Sequence, residues 1–216
     1  MHRVTAALLT ALISLNSLHA ENLAGISAGA GPAFPLRGVK RLLGTGYGGT
    51  GSIDFLLNDN ISIVARGGYF RWQFNDDRFN TWVATIGGGK VSDAGGPFQA
   101  IPVTVGARFT FDGPLVRPYF GLAGGACLLH WKIAGTSRTT GLPGGYSSTW
   151  TEPAMSVEAG LLFVLSGGLT LDVGGTYTAF SNAGDRVDPS DFLGVRIAEF
   201  NTATFVGVQA GLRVAF

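Results

Sequence analysis

The sequence predicts an all-β chain: a transmembrane, up-and-down antiparallel barrel of eight strands. Three observations carry this. Apolar residues alternate with small or polar ones at a period of two in segment after segment, short and long connections between those segments alternate strictly, and no apolar run past the N-terminus approaches the length of a membrane helix.

The first segment is not part of that pattern. His2 and Arg3 precede an apolar stretch from Val4 to Leu15, and Ser17, Leu18, His19 and Ala20 lead to the charged Glu21. This is the layout of a secretory signal peptide, expected over 1–20, with the barrel over 21–216. No Cys follows the apolar stretch, which argues against a lipoprotein. Without Arg3 the chain carries equal numbers of Lys plus Arg and Asp plus Glu, so no net field favours nucleic acid. Cys127 is the single cysteine, so no internal disulfide is available.

The strands follow in order. Ala24, Ile26, Ala28 and Ala30 alternate with glycines and Ser27. Ile53, Phe55 and Leu57 oppose Ser52 and Asp54, and Ile61, Ile63 and Ala65 oppose Ser62, Val64 and Arg66. Ile101 to Phe111 sets valines and phenylalanines against Thr104, Gly106, Arg108 and Thr110, with Pro102 expected near a rim or bulge. Phe120, Leu122, Ala126 and Leu128 oppose Tyr119 and Gly121. Met155 to Leu165 places Glu158 opposite its aliphatics, and Leu169 to Ala179 does the same with Asp172. In the last segment Val208, Ala210, Leu212, Val214 and Phe216 oppose Gly207, Gln209, Gly211 and Arg213.

Asn58 to Asn60, Asp112 to Val116 and Ser166 to Gly168 are tight turns by composition. The other connections, about 35 to 46, 75 to 97, 132 to 152 and 180 to 200, are long. Outer-membrane barrels have short periplasmic turns and long external loops. A soluble barrel of lipocalin type would put the aliphatics inside and Asp54, Arg66, Arg108, Glu158, Asp172 and Arg213 outside among exposed glycines. Lipid outside leaves those six in the lumen, three of each sign, with Asp172 and Arg213 expected to pair. Aromatics at strand ends are expected to form two interfacial girdles: Trp72, Phe74, Trp131 and Trp150 on the long-loop side, and Phe55, Phe111, Phe120 and Phe163 on the short-turn side.

The stretches RPYFGLAGGA at 117–126, LTLDVGGTYTAF at 169–180 and VGVQAGLRVAF at 206–216 resemble the OmpA/opacity-type eight-stranded outer-membrane barrels. The resemblance implies a barrel in the outer membrane of a Gram-negative bacterium, with lipid and lipopolysaccharide around it. It also implies that the ladder from Val208 to Phe216 is the signal read by the barrel-assembly machinery. No periplasmic domain is expected after the last strand, so cell-wall anchoring is not among the expectations.

Eight strands enclose a lumen that side chains fill, so a diffusion pore is not expected; a narrow gated ion path is one alternative. A second is a lipid A deacylase: FSNAG at 180–184 resembles part of the His-x-Ser-Asn motif of such enzymes, but Ala179 stands where the His belongs. A rewired set of Ser181, His130 and Glu152 would be needed. No catalytic residue, cofactor or metal site is expected. The external loops, with Asp76, Asp77, Arg78, Phe79, Trp82 and Lys90 in one and Asp185, Arg186, Asp188, Asp191, Arg196 and Glu199 in another, point to a structural or adhesin-like role toward a host or surface ligand.

Overall fold

A computed structural model of the chain describes residues 24–36, 40, 42–85, 91–137, 141–181 and 202–216. The segment expected to be a signal peptide and the charged residues from Asp185 to Glu199 lie outside them, as does Lys90.

Strands β1 (Ala24–Leu36), β2 (Gly46–Leu56) and β3 (Ile61–Gln73) are followed by helix α1 (Asp76–Thr85) and a short strand β4 (Val91–Gly95). Then come β5 (Pro97–Thr110), β6 (Val116–Ser137), β7 (Pro143–Ser166), β8 (Leu169–Ser181) and β9 (Thr202–Ala215). Each wall strand pairs antiparallel with the next, and β9 pairs with β1, so the sheet closes. The seam is completed by Phe216, which donates its backbone N–H to Ala24 O at 2.9 Å and accepts from Ala24 N at 3.1 Å. Strand β4 is not a ninth wall strand. It pairs with β6 on the same edge as β5, above it and joined to it through Gly96, so the fourth wall strand carries a kink.

The tightest turn shows local sequence setting local geometry. Ser166 pairs with Leu169 across Gly167 and Gly168, whose φ values of 42° and 86° suit the primed two-residue hairpin that glycine adopts without steric cost. Pro102 stands in mid-strand, opposite Cys127, and not at a rim. Its missing N–H falls beside β3, where the register passes from Gly67↔Val103 to Phe70↔Ala100 with no pairs between.

Two of the expected long loops are shorter than the sequence suggests. Within 75–97, Asn75 Oδ1 accepts from Arg78 N at 3.1 Å and caps α1, and β4 follows. Within 132–152, β6 and β7 continue as a ladder up to Thr136↔Pro143. Strands β8 and β9 pair as far as Ser181↔Thr202, at the margins of the expected 180–200 connection.

The outer face is a band of apolar side chains, with Leu122 62 % and Met155 73 % exposed. Phe55, Phe111 and Phe120 ring its periplasmic edge, and Phe163 is half-buried there. The other expected girdle is absent from the outer face. Trp72, Phe74, Trp131 and Trp150 are buried inside with Phe70, Phe98 and Phe205, where they fill the external half of the lumen. Their parity explains it: Phe70, Trp72 and Phe74 share the face of Arg66, and Trp131 that of Tyr119. Outward aromatics on the external half are instead Phe34, Tyr47, Tyr69 and Tyr177.

Candidate functional site

The periplasmic half of the lumen is polar. Arg108, 2 % exposed, stands at its centre on β5. Its Nε donates to Glu158 Oε1 at 3.0 Å and its Nη2 to Glu158 Oε2 at 3.1 Å, a forked contact that only a guanidinium supplies. Its Nη1 donates to Asp54 Oδ2 at 3.3 Å, and its Cζ lies 4.5 Å from the centroid of the Tyr119 ring. Arg66 donates to the same Glu158 carboxylate, and Arg213 Nε donates to Asp54 Oδ2 at 2.7 Å. Asp54 also accepts from Ser52 Oγ at 3.2 Å, and Ser52 Oγ lies 2.7 Å from Ser27 Oγ.

The six charged residues expected in the lumen therefore face it, and five of them form one chain: Arg66, Glu158, Arg108, Asp54 and Arg213. The sixth, Asp172, does not pair with Arg213. It accepts from Tyr119 Oη at 2.8 Å. Glycine on the intervening strand decides both partnerships. Between β9 and β2, Gly25 of β1 sits opposite Asp54, and a Cβ there would lie 3.3 Å from Arg213 Nε, so a bare glycine lets the arginine reach across. Between β6 and β8, Gly160 of β7 stands in register with Gly174, and a Cβ on Gly160 would lie 2.6 Å from Tyr119 Oη. Tyr119 was not singled out from the sequence, although it alternates with the outward Phe120; Thr50, donating to Gln209 Oε1 at 2.6 Å, is a further uncharged contributor.

The arrangement is neutral by formal charge, with three arginines and three carboxylates, as narrow low-dielectric surroundings require. Between it and the aromatic packing lies a cavity of about 30 Å³ bordered by Thr50, Glu158, Asp172 and Gln209, room for one or two water molecules. Above that, Trp72 Nε1 donates to Ala33 O at 3.0 Å, and Leu42, Leu43 and Phe79 from the external connections pack onto the rings. Among the described residues no group of His, Cys, Asp and Glu side chains could hold a metal.

The residues considered for a hydrolase do not assemble. His130 faces outward, its Nδ1 2.7 Å from Thr149 Oγ1, whereas Glu152 is buried on the lumen side beside Cys127. The wall separates them. Of Ser181 only the backbone is described, paired with Thr202. The terminal ladder takes the outward face: Val208, Ala210 and Leu212 are exposed and Val214 and Phe216 half-buried.

The chain resembles known barrels in this geometry. Neisserial surface protein A matches with a TM-score of 0.53 and 19 % identity, over 89 % of this chain and 97 % of that one. Ail, the attachment invasion locus protein of Yersinia pestis, solved with the heparin analogue sucrose octasulfate, matches with a TM-score of 0.51 and 16 % identity over 89 % and 97 %. These likenesses concern the fold. No curated protein sequence matches the chain. Residues 5–216 match the model of the outer membrane protein beta-barrel domain, and the chain belongs to that family of Gram-negative outer-membrane barrels.

Proposed function

We propose that the protein is a rigid outer-membrane scaffold that presents the β6–β7 hairpin for surface interaction, an adhesin-like role. One observation carries this. The outward face of β6 turns from apolar Leu128 to polar His130, and that of β7 is polar from Thr151 toward the hairpin tip, yet the ladder continues to Thr136↔Pro143. At about 3.3 Å per residue it therefore projects roughly 20 Å along the strands beyond the lipid-facing band. Pairing with β4 stiffens it, and exposed Lys132, Leu142, Ser147 and Thr149 decorate it. A bilayer-spanning strand needs only about ten residues, so this length serves something outside the membrane. The packed lumen favours a structural interior over an ion path.

Because Ail was solved with a heparin analogue, immobilised heparin is a rational first probe. Cells displaying the protein should be retained, and cells displaying a form with residues 134–145 replaced by Asn-Gly should not, with barrel folding checked by heat-modifiable migration. No retention of the full protein would remove support for the sulfated-glycan form of the reading; equal retention of both forms would remove the hairpin.

The outward terminal ladder supports a second element of the reading, that Phe216 is recognised by the barrel-assembly machinery. Phe216→Ala should lower assembly in cells by more than it lowers refolding in detergent. Equal losses in both would leave Phe216 as one more packed side chain.

A further inference from the structure

Beyond the external end of β8, strand β7 has one paired side and one bare side. Toward β6 the ladder runs unbroken from Val116↔Phe163 to Thr136↔Pro143. Toward β8 the pairs stop at Ala154↔Phe180, and β8 itself ends at Ser181. Among the described residues nothing pairs with β7 on that side from Pro143 to Pro153. The other edge of the same extension is filled, because β4 adds to β6 directly above β5, down to Gly95↔Ala134.

The ladder fixes which backbone groups the bare side presents. Val164 N donates to Leu115 O at 2.8 Å, across to β6. In an antiparallel pair successive residues turn their N–H and C=O groups to opposite sides. With no shift in the β6–β7 register, the even-numbered residues of β7 therefore bond to β6 and the odd-numbered ones face the bare side. Those are Pro143, Gly145, Ser147, Thr149, Thr151 and Pro153. The two prolines have no N–H to offer and bracket four residues that do, one every about 6.6 Å. Such a row is a template for another strand, and natural edges are blunted with Lys, Pro or a bulge. Between Pro143 and Pro153 the one charged residue is Glu152, which is buried on the lumen side. Gly145, Ser147, Thr149 and Thr151 are exposed, and Tyr146 and Ser148 on the inner face are half-buried.

We propose that the bare edge of β7 from Gly145 to Thr151 receives an extended segment of a partner protein as an added strand, placed above β8 as β4 is placed above β5. This rests on the reading of the β6–β7 hairpin as a surface element and names its partner class. A strand supplies donors and acceptors in the alternating order that the edge presents. The edge residues carry no cation to hold a sulfated glycan. A second copy in the same membrane does not align with the edge, because barrel strands tilt by roughly 40° in one sense on every face, and two touching barrels present crossed strands. The incoming segment sets apolar side chains beside Tyr146 on the inner face and polar ones beside Ser147 and Thr149 on the outer face.

The test uses the full protein refolded in lipid nanodiscs and a short fluorescent peptide alternating Thr with Val and Tyr, read by anisotropy and amide hydrogen exchange. In the free protein the amides of Gly145, Ser147, Thr149 and Thr151 should exchange fast and those of Tyr146, Ser148 and Trp150 slowly; with peptide bound, both sets should be slow. Peptide N-methylated on one alternate set of residues should bind about tenfold more weakly, and peptide methylated on the other set within about threefold of the parent, because one set alone faces the edge. Ser147→Pro removes a donor from the bare side, where an edge strand tolerates proline, and should fold while weakening binding about tenfold. If it does not refold, Ser147→Lys combined with Thr149→Lys, the usual guard of an edge, should give a several-fold loss of the same sign. The proposal falls if the peptide does not bind, if the two methylated peptides bind alike, if the odd-numbered amides are already protected in the free protein, or if the folded variants bind as the wild type does. Absent peptide binding with heparin retention intact overturns the added strand and leaves the hairpin's surface role standing; peptide binding without heparin retention overturns the sulfated-glycan form alone.

Discussion

Around Thr50 and Gln209 the lumen changes character. Toward the periplasm it is filled by three arginines, three carboxylates and Tyr119; toward the exterior it is filled by Phe70, Trp72, Phe98, Trp131 and Phe205, with centroids such as Trp72 to Phe205 at 5.0 Å and Phe74 to Trp131 at 5.1 Å. Both halves close the same narrow tube, but their tolerances differ. Charge needs direction, because an unmatched ion in low dielectric costs several kcal/mol, whereas ring packing needs volume and accepts approximate angles. The charged half therefore fixes how strands sit across the lumen, and the aromatic half seals it and anchors Leu42, Leu43 and Phe79 from the external connections.

The largest effect expected follows from Arg108, because it alone touches both carboxylates of the chain. Arg108→Ala leaves Glu158 with Arg66 and Asp54 with Arg213, one negative charge in excess, and should cost on the order of 4 kcal/mol in urea unfolding from lipid vesicles. Arg108→Lys should recover little, since a single ammonium cannot fork to Glu158 while also reaching Asp54. A lysine variant as stable as the wild type would show that net charge matters here and direction does not.

Trp72→Ala should cost somewhat less, about 3 kcal/mol, as the loss of a large ring from a packed site partly collapses. Trp72→Phe should recover most of that despite losing the bond to Ala33 O, which marks the contrast with Arg108. If the Phe variant is as damaged as the Ala variant, the hydrogen bond and not the volume holds this half. Planar-bilayer recordings of Trp72→Ala should stay silent, because the arginine and carboxylate chain still fills the tube below; conducting steps would show that the aromatic half is the sole seal.

How far the sequence discloses these two halves depends on how local each cause is. Alternation is local, and it placed all six lumen charges and the outward ladder to Phe216 on their proper faces. It also held the position of Trp72, which shares parity with Arg66, and of Trp131, which shares parity with Tyr119. The expectation of an external girdle conflicts with that parity and treats all four residues as strand ends, which Trp72 and Phe74 are, whereas β6 and β7 continue well past Trp131 and Trp150. That extension is hard to see in sequence because Thr149, Ser147 and Gly145 offer little contrast with their neighbours, and pairing between β6 and β7 supplies the order. The helix α1 lies where the sequence reading expects only a loop, although Asn75 before Asp76 and Asp77 is an ordinary N-cap signal. Partner choice among the charges was not legible, because it turns on which intervening strand presents glycine at which height.

That last point gives the smallest and most discriminating effect. Arg213 meets Asp54 and not Asp172, so coupling in a double-mutant cycle should follow the contact. Arg213→Ala alone should cost about 2 kcal/mol, less than Arg108→Ala, because Asp54 keeps its bond to Arg108 and the Arg213 side chain retains 14 % exposure. Combined with Asp54→Asn, the two losses should fall short of additive by about 1 kcal/mol or more; combined with Asp172→Asn, which preserves an acceptor for Tyr119, they should add to within about 0.5 kcal/mol. The cycle reads contact and not proximity, since Asp172 and Arg213 stand on paired strands two rungs apart, at Asp172↔Gly211 and Thr170↔Arg213. Strong coupling to Asp172 with none to Asp54 would mean that the arginine does not cross Gly25. Placing a Cβ there tests the same passage from the other side: Gly25→Ala should weaken the Arg213 to Asp54 coupling while leaving that between Arg213 and Asp172 near zero.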